Sequence, residues 1–249
     1  MSYFGTDEHG SELGRTYFVG GAGSVGNVVG TVDVPRGLRN AKYRGSIEVF
    51  GWQSVVGGTL RDMLDRSRNE GEGRRLAQRI QAYLRQYPER RINIIALSAG
   101  TGIATWALEA LPPNVHVGTV VYLGSAMSRD YDLSGAIARI DGHLYCFYSP
   151  DDPLLKYGLA LTGPVDRESG AVGAAGLYGF KLPPGAGESV QAVYARRLRN
   201  RPYQSRYREY GYYGLHADST APAFITAVIA PLLAEPRDAN VTSAPRDGQ

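Results

Sequence analysis

Ser98 follows directly on an apolar run, residues 92–97, and is followed by Ala99-Gly100 and a helix-prone segment from Thr101. A serine hydroxyl becomes a nucleophile at neutral pH when a base takes its proton and an acid orients that base. Two histidines follow Ser98 at a useful distance, His143 and His216. His143 opens an apolar strand candidate, at the edge opposite to the carboxyl end where a nucleophile would sit. His216 stands in Tyr213-Gly214-Leu215-His216-Ala217-Asp218, a turn-like stretch before a last amphipathic segment. Carboxylates are supplied by Ser149-Pro150-Asp151-Asp152-Pro153, just past the strand candidate 143–148, and by Asp130 and Asp132 one strand earlier. One aspartate of the first pair could equally cap the turn.

These side chains need a scaffold, and the chain alternates as an α/β domain does. Strands are expected at residues 15–20, 46–51, 91–97, 115–123 and 143–148. Helices are expected at 74–87, where Leu76, Ile80, Tyr83, Leu84 and Tyr87 recur at helical spacing, at 101–111, and at 220–233. Pro88 and the pair Pro112-Pro113 end the first two. The near-continuous apolar run at 91–97 suits the buried centre of a parallel sheet. The expected fold is therefore α/β, a single domain over 15–234 with a mostly parallel central sheet and helices on both faces. Residues 1–14 read as a flexible N-terminus and 235–249 as a disordered tail. Residues 171–187, full of Gly, Ala and Pro, read as a long loop.

A turn as tight as the one from strand 92–97 into the helix forces its central residue into a strained conformation and needs small neighbours. Ala96 and Gly100 meet that need, and the helix dipole favours negative charge developing beside Ser98. Ala96-Leu97-Ser98-Ala99-Gly100 resembles the nucleophile elbow of the α/β-hydrolase superfamily, G-x-S-x-G, with Ala96 in place of the first glycine. The resemblance covers roughly residues 15–233 and implies the chain order serine, acid, histidine. It puts His216 in the position of the base and Asp152, followed by Pro153-Leu154-Leu155, in that of the acid. Asp151 is the near alternative, and Asp130 or Asp132 would serve if the acid came one strand earlier. The same resemblance implies two oxyanion donors: the N–H of Ala99, and that of Ala22 in Gly20-Gly21-Ala22-Gly23-Ser24, which is similar to the family's His-Gly loop with Gly20 replacing the histidine.

The glycine loop admits a rival reading. Gly21-Ala22-Gly23-Ser24-Val25-Gly26 matches the dinucleotide fingerprint G-x-G-x-x-G after a strand, which requires a helix to begin within the motif. The following stretch, 27–35, is dominated by β-branched residues and glycine and meets Pro35, so it reads as a poor helix.

Composition narrows the classes further. The chain has 249 residues with 43% hydrophobic and 20% charged residues, ordinary globular values. A net charge of +3 is too small to argue for nucleic acid or a membrane surface. Arginines and tyrosines interleave over residues 196–210, a pattern that can bind single strands, but a solvated helix face accounts for it. Tyr207, Tyr210, Tyr212 and Tyr213 are candidates to line an acyl pocket. A membrane span is not expected, and with no apolar signal core the expected location is cytoplasmic. Cys146 is the only cysteine, so no intrachain disulfide or cysteine-built metal site is possible, and a buried thiol is expected. No motif calls for a cofactor or a metal. The expected activity is hydrolysis of a small carboxylic ester through an acyl-enzyme, with a catalytically silent hydrolase fold used for binding as the competing reading.

Overall fold

The computed structural model describes residues 5–23, 28–54, 58–168 and 173–234. Among these residues seven strands form one sheet: β1 (Gly5–Asp7), β2 (Arg15–Val19), β3 (Ser46–Phe50), β4 (Ile92–Leu97), β5 (Val120–Leu123), β6 (Leu144–Tyr148) and β7 (Leu198–Pro202), in the order β1-β3-β2-β4-β5-β6-β7. All neighbours are parallel except β1 on β3.

Alternation along the central strands divides the core in two, as the period of a strand requires. Tyr17, Ile94, Ala96, Val120, Tyr122, Leu144 and Cys146 face one side, where they meet α3 (Arg66–Gln86), α4 (Gly100–Glu109) and α5 (Glu188–Arg197). Phe18, Ile95, Leu97, Val121, Leu123, Tyr145 and Phe147 face the other, beneath α1 (Asp33–Asn40) and the closing helical run 222–233. A further helix, α2 (Gly58–Leu64), lies between β3 and α3 in the chain. The expected α/β class, with a mostly parallel sheet covered on both faces, is what is found. Burial of Cys146 pushes its thiol up to about 12, so it stays protonated and inert near neutral pH.

Several local expectations need correction. Residues 5–14 do not lie free: Thr6 pairs with Glu48, Arg15 is tied to Glu8 and Glu48, and the Tyr83 hydroxyl donates to the Ser11 carbonyl. Pro35 does not stop a helix but stands in the first turn of α1, where its missing N–H costs no hydrogen bond. Helix α3 begins at Arg66, eight residues before its apolar periodicity shows, capped by Asp65, whose side chain accepts from Arg68 N. Strand β5 begins at Val120, and Val117 makes only a bridge to Ile140. The strand before His216 is Leu198–Pro202, outside every expected strand, and the segment after it is largely a 3₁₀ turn, Ser205–Tyr210. Within the expected loop 171–187, Ala175–Tyr178 is helical, and Leu177 and Phe180 are buried. The tail 235–249 lies outside the described residues.

Candidate active site

Strand order reverses between β2 and β4, since β3 lies on one side of β2 and β4–β7 run away on the other. In open parallel sheets that switch point, at the carboxyl ends of the strands, is where a ligand crevice opens. Ser98 stands there. It follows β4, precedes α4, is half-buried, and has φ 56°, the left-handed region that a residue with a Cβ enters at a cost of about 1–2 kcal/mol. Three other described non-glycine residues share a positive φ, Lys42, Glu89 and Arg167, and none of them lies at the end of a central strand.

The strain is held by its surroundings. Ser98 N donates to the Leu123 carbonyl at 3.0 Å, and the Ser98 carbonyl accepts from Thr101 N, Thr101 Oγ1 and Ala126 N at 3.1, 2.6 and 3.2 Å. Gly100 allows the first turn of α4 to close on β2: a Cβ there would lie 2.4 Å from the Val19 carbonyl oxygen and 2.3 Å from that of Gly20. Ala96 is fully buried between its partners Val19 and Tyr122, so a small residue suffices where the G-x-S-x-G pattern has glycine.

His216 heads the 3₁₀ turn Ala217–Thr220, and its carbonyl accepts from Ser219 Oγ at 2.8 Å. Its Nδ1 lies 2.6 Å from Asp152 Oδ2, a charge-assisted distance. With Nδ1–H donating to the carboxylate, Nε2 carries the lone pair. Nε2 is buried and has no hydrogen-bond partner among the described residues. Asp152 is itself buried, and its Oδ1 accepts from Leu155 N at 3.1 Å, so each oxygen has a defined donor. Asp151 is exposed and its N–H donates to Ser149 Oγ, away from the imidazole. Asp130 faces Lys181 at 4.0 Å, and Asp132 accepts from Ser134 N. His143 lies beside Arg199, at the opposite end of β6 from Asp152.

Gly124 is a further residue of the candidate site, and no sequence motif marks it. It ends β5 with φ 49°, and a Cβ there would stand 3.1 Å from His216 Nδ1 and 3.4 Å from Asp152 Oδ2. The imidazole–carboxylate pair thus lies on bare backbone one residue past Leu123, the residue that holds Ser98 N. A glycine directly after the apolar strand Val120–Leu123 was the available signal.

Ser98 and His216 line one cavity of about 330 Å³ with Ala22, Val29, Leu97 and Leu154. Their side chains share that space without a hydrogen bond between Oγ and Nε2. The tyrosines before His216 do not line it. Tyr207 and Tyr212 are buried against Phe224, ring centroids 5.2 and 4.8 Å away, and form the floor under the histidine turn. Burial also raises the Asp218 carboxyl above the usual carboxylate range, while its Oδ2 accepts from Tyr213 N at 2.9 Å.

No protein-family model matches the chain, and no curated protein matches it either. Its residues and their geometry carry the functional reading.

The glycine loop is clamped by the segment after β3. Trp52 Nε1 donates to the Gly20 carbonyl and Gln53 Nε2 to that of Gly21, at 2.8 and 2.7 Å. Gly23 N donates to Asp62 Oδ2 at 2.8 Å, and the Asp62 carboxylate is fully buried. Residues 24–27, over which a dinucleotide motif would need its helix, lie outside the described residues. Ala22 borders the cavity, and Ala99 is the N-cap of α4, where backbone N–H groups have no intrahelical acceptor. Among the described residues no group of three His, Cys, Asp or Glu could hold a metal ion, and no helix is long and apolar enough to cross a membrane.

Proposed function

We propose that this chain is a serine hydrolase of the α/β-hydrolase kind that cleaves carboxylic esters through an acyl-enzyme. The observation that carries the reading is the pair of buried Asp152 and half-buried His216 on the cavity that Ser98 lines from a left-handed turn. Ser98 Oγ attacks the ester carbonyl carbon, its proton passes to His216 Nε2, and the carbonyl π pair moves to oxygen. Asp152 holds Nδ1–H, so the imidazole keeps the tautomer that can accept at Nε2, and the imidazolium is stabilised once formed. The N–H groups of Ala99 and Ala22 receive the oxyanion. When the carbonyl re-forms, the C–O bond to the alcohol breaks and Nε2 returns the proton to the leaving oxygen. Water then repeats the sequence on the acyl-serine. Removing Asp152 would leave the buried imidazolium without a counter-charge, at a cost of several kcal/mol.

Two features weigh against a nucleotide. The anion at Gly23 is a carboxylate of the protein itself, which repels a pyrophosphate at the same N–H. Some of the interleaved arginines are also turned to the protein itself: Arg197 donates to the Asp141 and Gly142 carbonyls, Arg199 to carbonyls at the end of α5, and Arg201 lies over the Tyr145 ring. The proposed substrate is therefore a small acyl compound and not a nucleic acid.

The second reading, a silent hydrolase fold that binds a ligand, is favoured by one observation: Oγ and Nε2 are not hydrogen-bonded. Catalytic hydrogen bonds often tighten only when substrate is present. Rapid mixing with 4-nitrophenyl butanoate separates the two readings. A hydrolase turns over many ester molecules per chain, with or without an initial burst of 4-nitrophenol, and loses that turnover in Ser98→Ala; a silent fold gives no turnover.

A further inference from the structure

Ser98 borders a second, smaller chamber. It has about 130 Å³ and shares Ala22, Thr59, Ser98 and Leu154 with the first, but its remaining walls include Met63, Ala126, Leu155, Leu159 and Thr162. His216 lines only the larger chamber, of about 330 Å³.

That asymmetry has a chemical meaning. The imidazole that takes the serine proton must return it to the departing alcohol oxygen, so the alcohol leaves on the side where His216 stands. The substituent on the carbonyl carbon then projects to the other side of Ser98. We infer that the small chamber is the acyl site, and that the enzyme takes esters of short, uncharged acyl groups whose larger alcohol portion occupies the His216 side. This inference rests on the serine hydrolase reading above.

Size and charge set the limits. An apolar cavity of about 150 Å³ holds one benzene molecule, so about 130 Å³ accepts an acyl group of up to about six carbons. Met63 and Leu155 are 6% and 2% exposed, and a longer chain must displace them from a packed wall. Overpacking of that kind lowers the specificity constant about tenfold or more. No Asp, Glu, Lys or Arg stands among the described residues lining either chamber, so a charged acyl group would be buried without a partner.

The test uses 4-nitrophenyl esters of butanoate, octanoate and monosuccinate with the full chain, alongside labelling of Ser98 by a fluorophosphonate. Expected are labelling at Ser98, a kcat/KM for butanoate at least about tenfold above octanoate, and little or no turnover of the succinate ester. Leu159→Ala, which widens the chamber from its half-buried rim, raises the octanoate-to-butanoate ratio several-fold, and Thr162→Phe, which fills it, lowers that ratio. A wild type that labels at Ser98 but turns over octanoate as well as butanoate overturns the chamber assignment alone. So does a ratio that neither variant moves. A wild type that does not label overturns the hydrolase reading and this inference with it.

Discussion

Gly100 and Gly20 touch across the base of the site: the Cα of Gly100 approaches so closely that a Cβ would lie 2.3 Å from the Gly20 carbonyl oxygen. One residue belongs to the turn after Ser98, the other to the loop that leads to Ala22. The separation of the two proposed oxyanion donors is therefore set by a backbone contact that admits no side chain.

Gly100→Ala should push α4 away from β2. The strain expected of an overpacked site is about 2 kcal/mol, which lowers Tm by about 4–8 °C in a chain of this length. Activity should fall further than stability, because the donors at Ala22 and Ala99 no longer converge. A thermal melt and an ester assay on the same preparation check both.

Gly124→Ala places a methyl group 3.1 Å from His216 Nδ1 at a positive φ. The expected result is a protein that folds, loses about 1–2 kcal/mol of stability, and has kcat reduced by about tenfold to a hundredfold because the imidazole is displaced. Denaturant unfolding and steady-state kinetics would measure the two effects.

Asp152→Asn should lower kcat by about 10³–10⁴-fold, since an amide can stabilise the wrong imidazole tautomer. Asp151→Asn should stay within about twofold of wild type, because Asp151 is exposed and its side chain does not reach the imidazole. Equal losses in the two variants would contradict the assignment of the acid.

Asp166 supplies a pH signature away from the site. Burial raises its carboxyl above the usual 3.8, against the hydrogen bonds it accepts from Ser128 N and Oγ at 2.7 and 2.8 Å. The folded state then holds its proton more tightly than the unfolded state. This contribution to stability is fully present below the unfolded value and declines as pH rises through the higher folded one. Urea unfolding from pH 4 upward should show wild type losing stability relative to Asp166→Asn. A difference between the two that does not change with pH would contradict the expectation.

The catalytic candidates were legible because each stands at a strand end, where apolar runs stop abruptly: Ser98 after residues 92–97, Asp152 after 143–148. His216 was legible only through the resemblance, since a histidine in a glycine-flanked turn has no periodicity to mark it. Gly124 was missed because its role is to be absent, leaving room for His216 and Asp152. Strand β7 was missed because it is an edge strand: Leu198–Pro202 carries arginines and a proline, as an edge tolerates and a central strand does not. Helix α1 is hidden in the sequence because Pro35 reads as a breaker, although in a first turn it costs no hydrogen bond. Proximity to His216 in sequence makes tyrosines 207 and 212 candidates for the pocket, while their rings pack on Phe224.

The central claim is that Ser98 is activated by His216. Its most direct test is labelling of the folded protein with a fluorophosphonate, with the modified peptide identified by mass spectrometry, in wild type, Ser98→Ala and His216→Ala. Expected are a single adduct on Ser98 in wild type, none in Ser98→Ala, and labelling slowed at least about a hundredfold in His216→Ala. A folded wild type that does not label, or one that labels equally fast without His216, would contradict it.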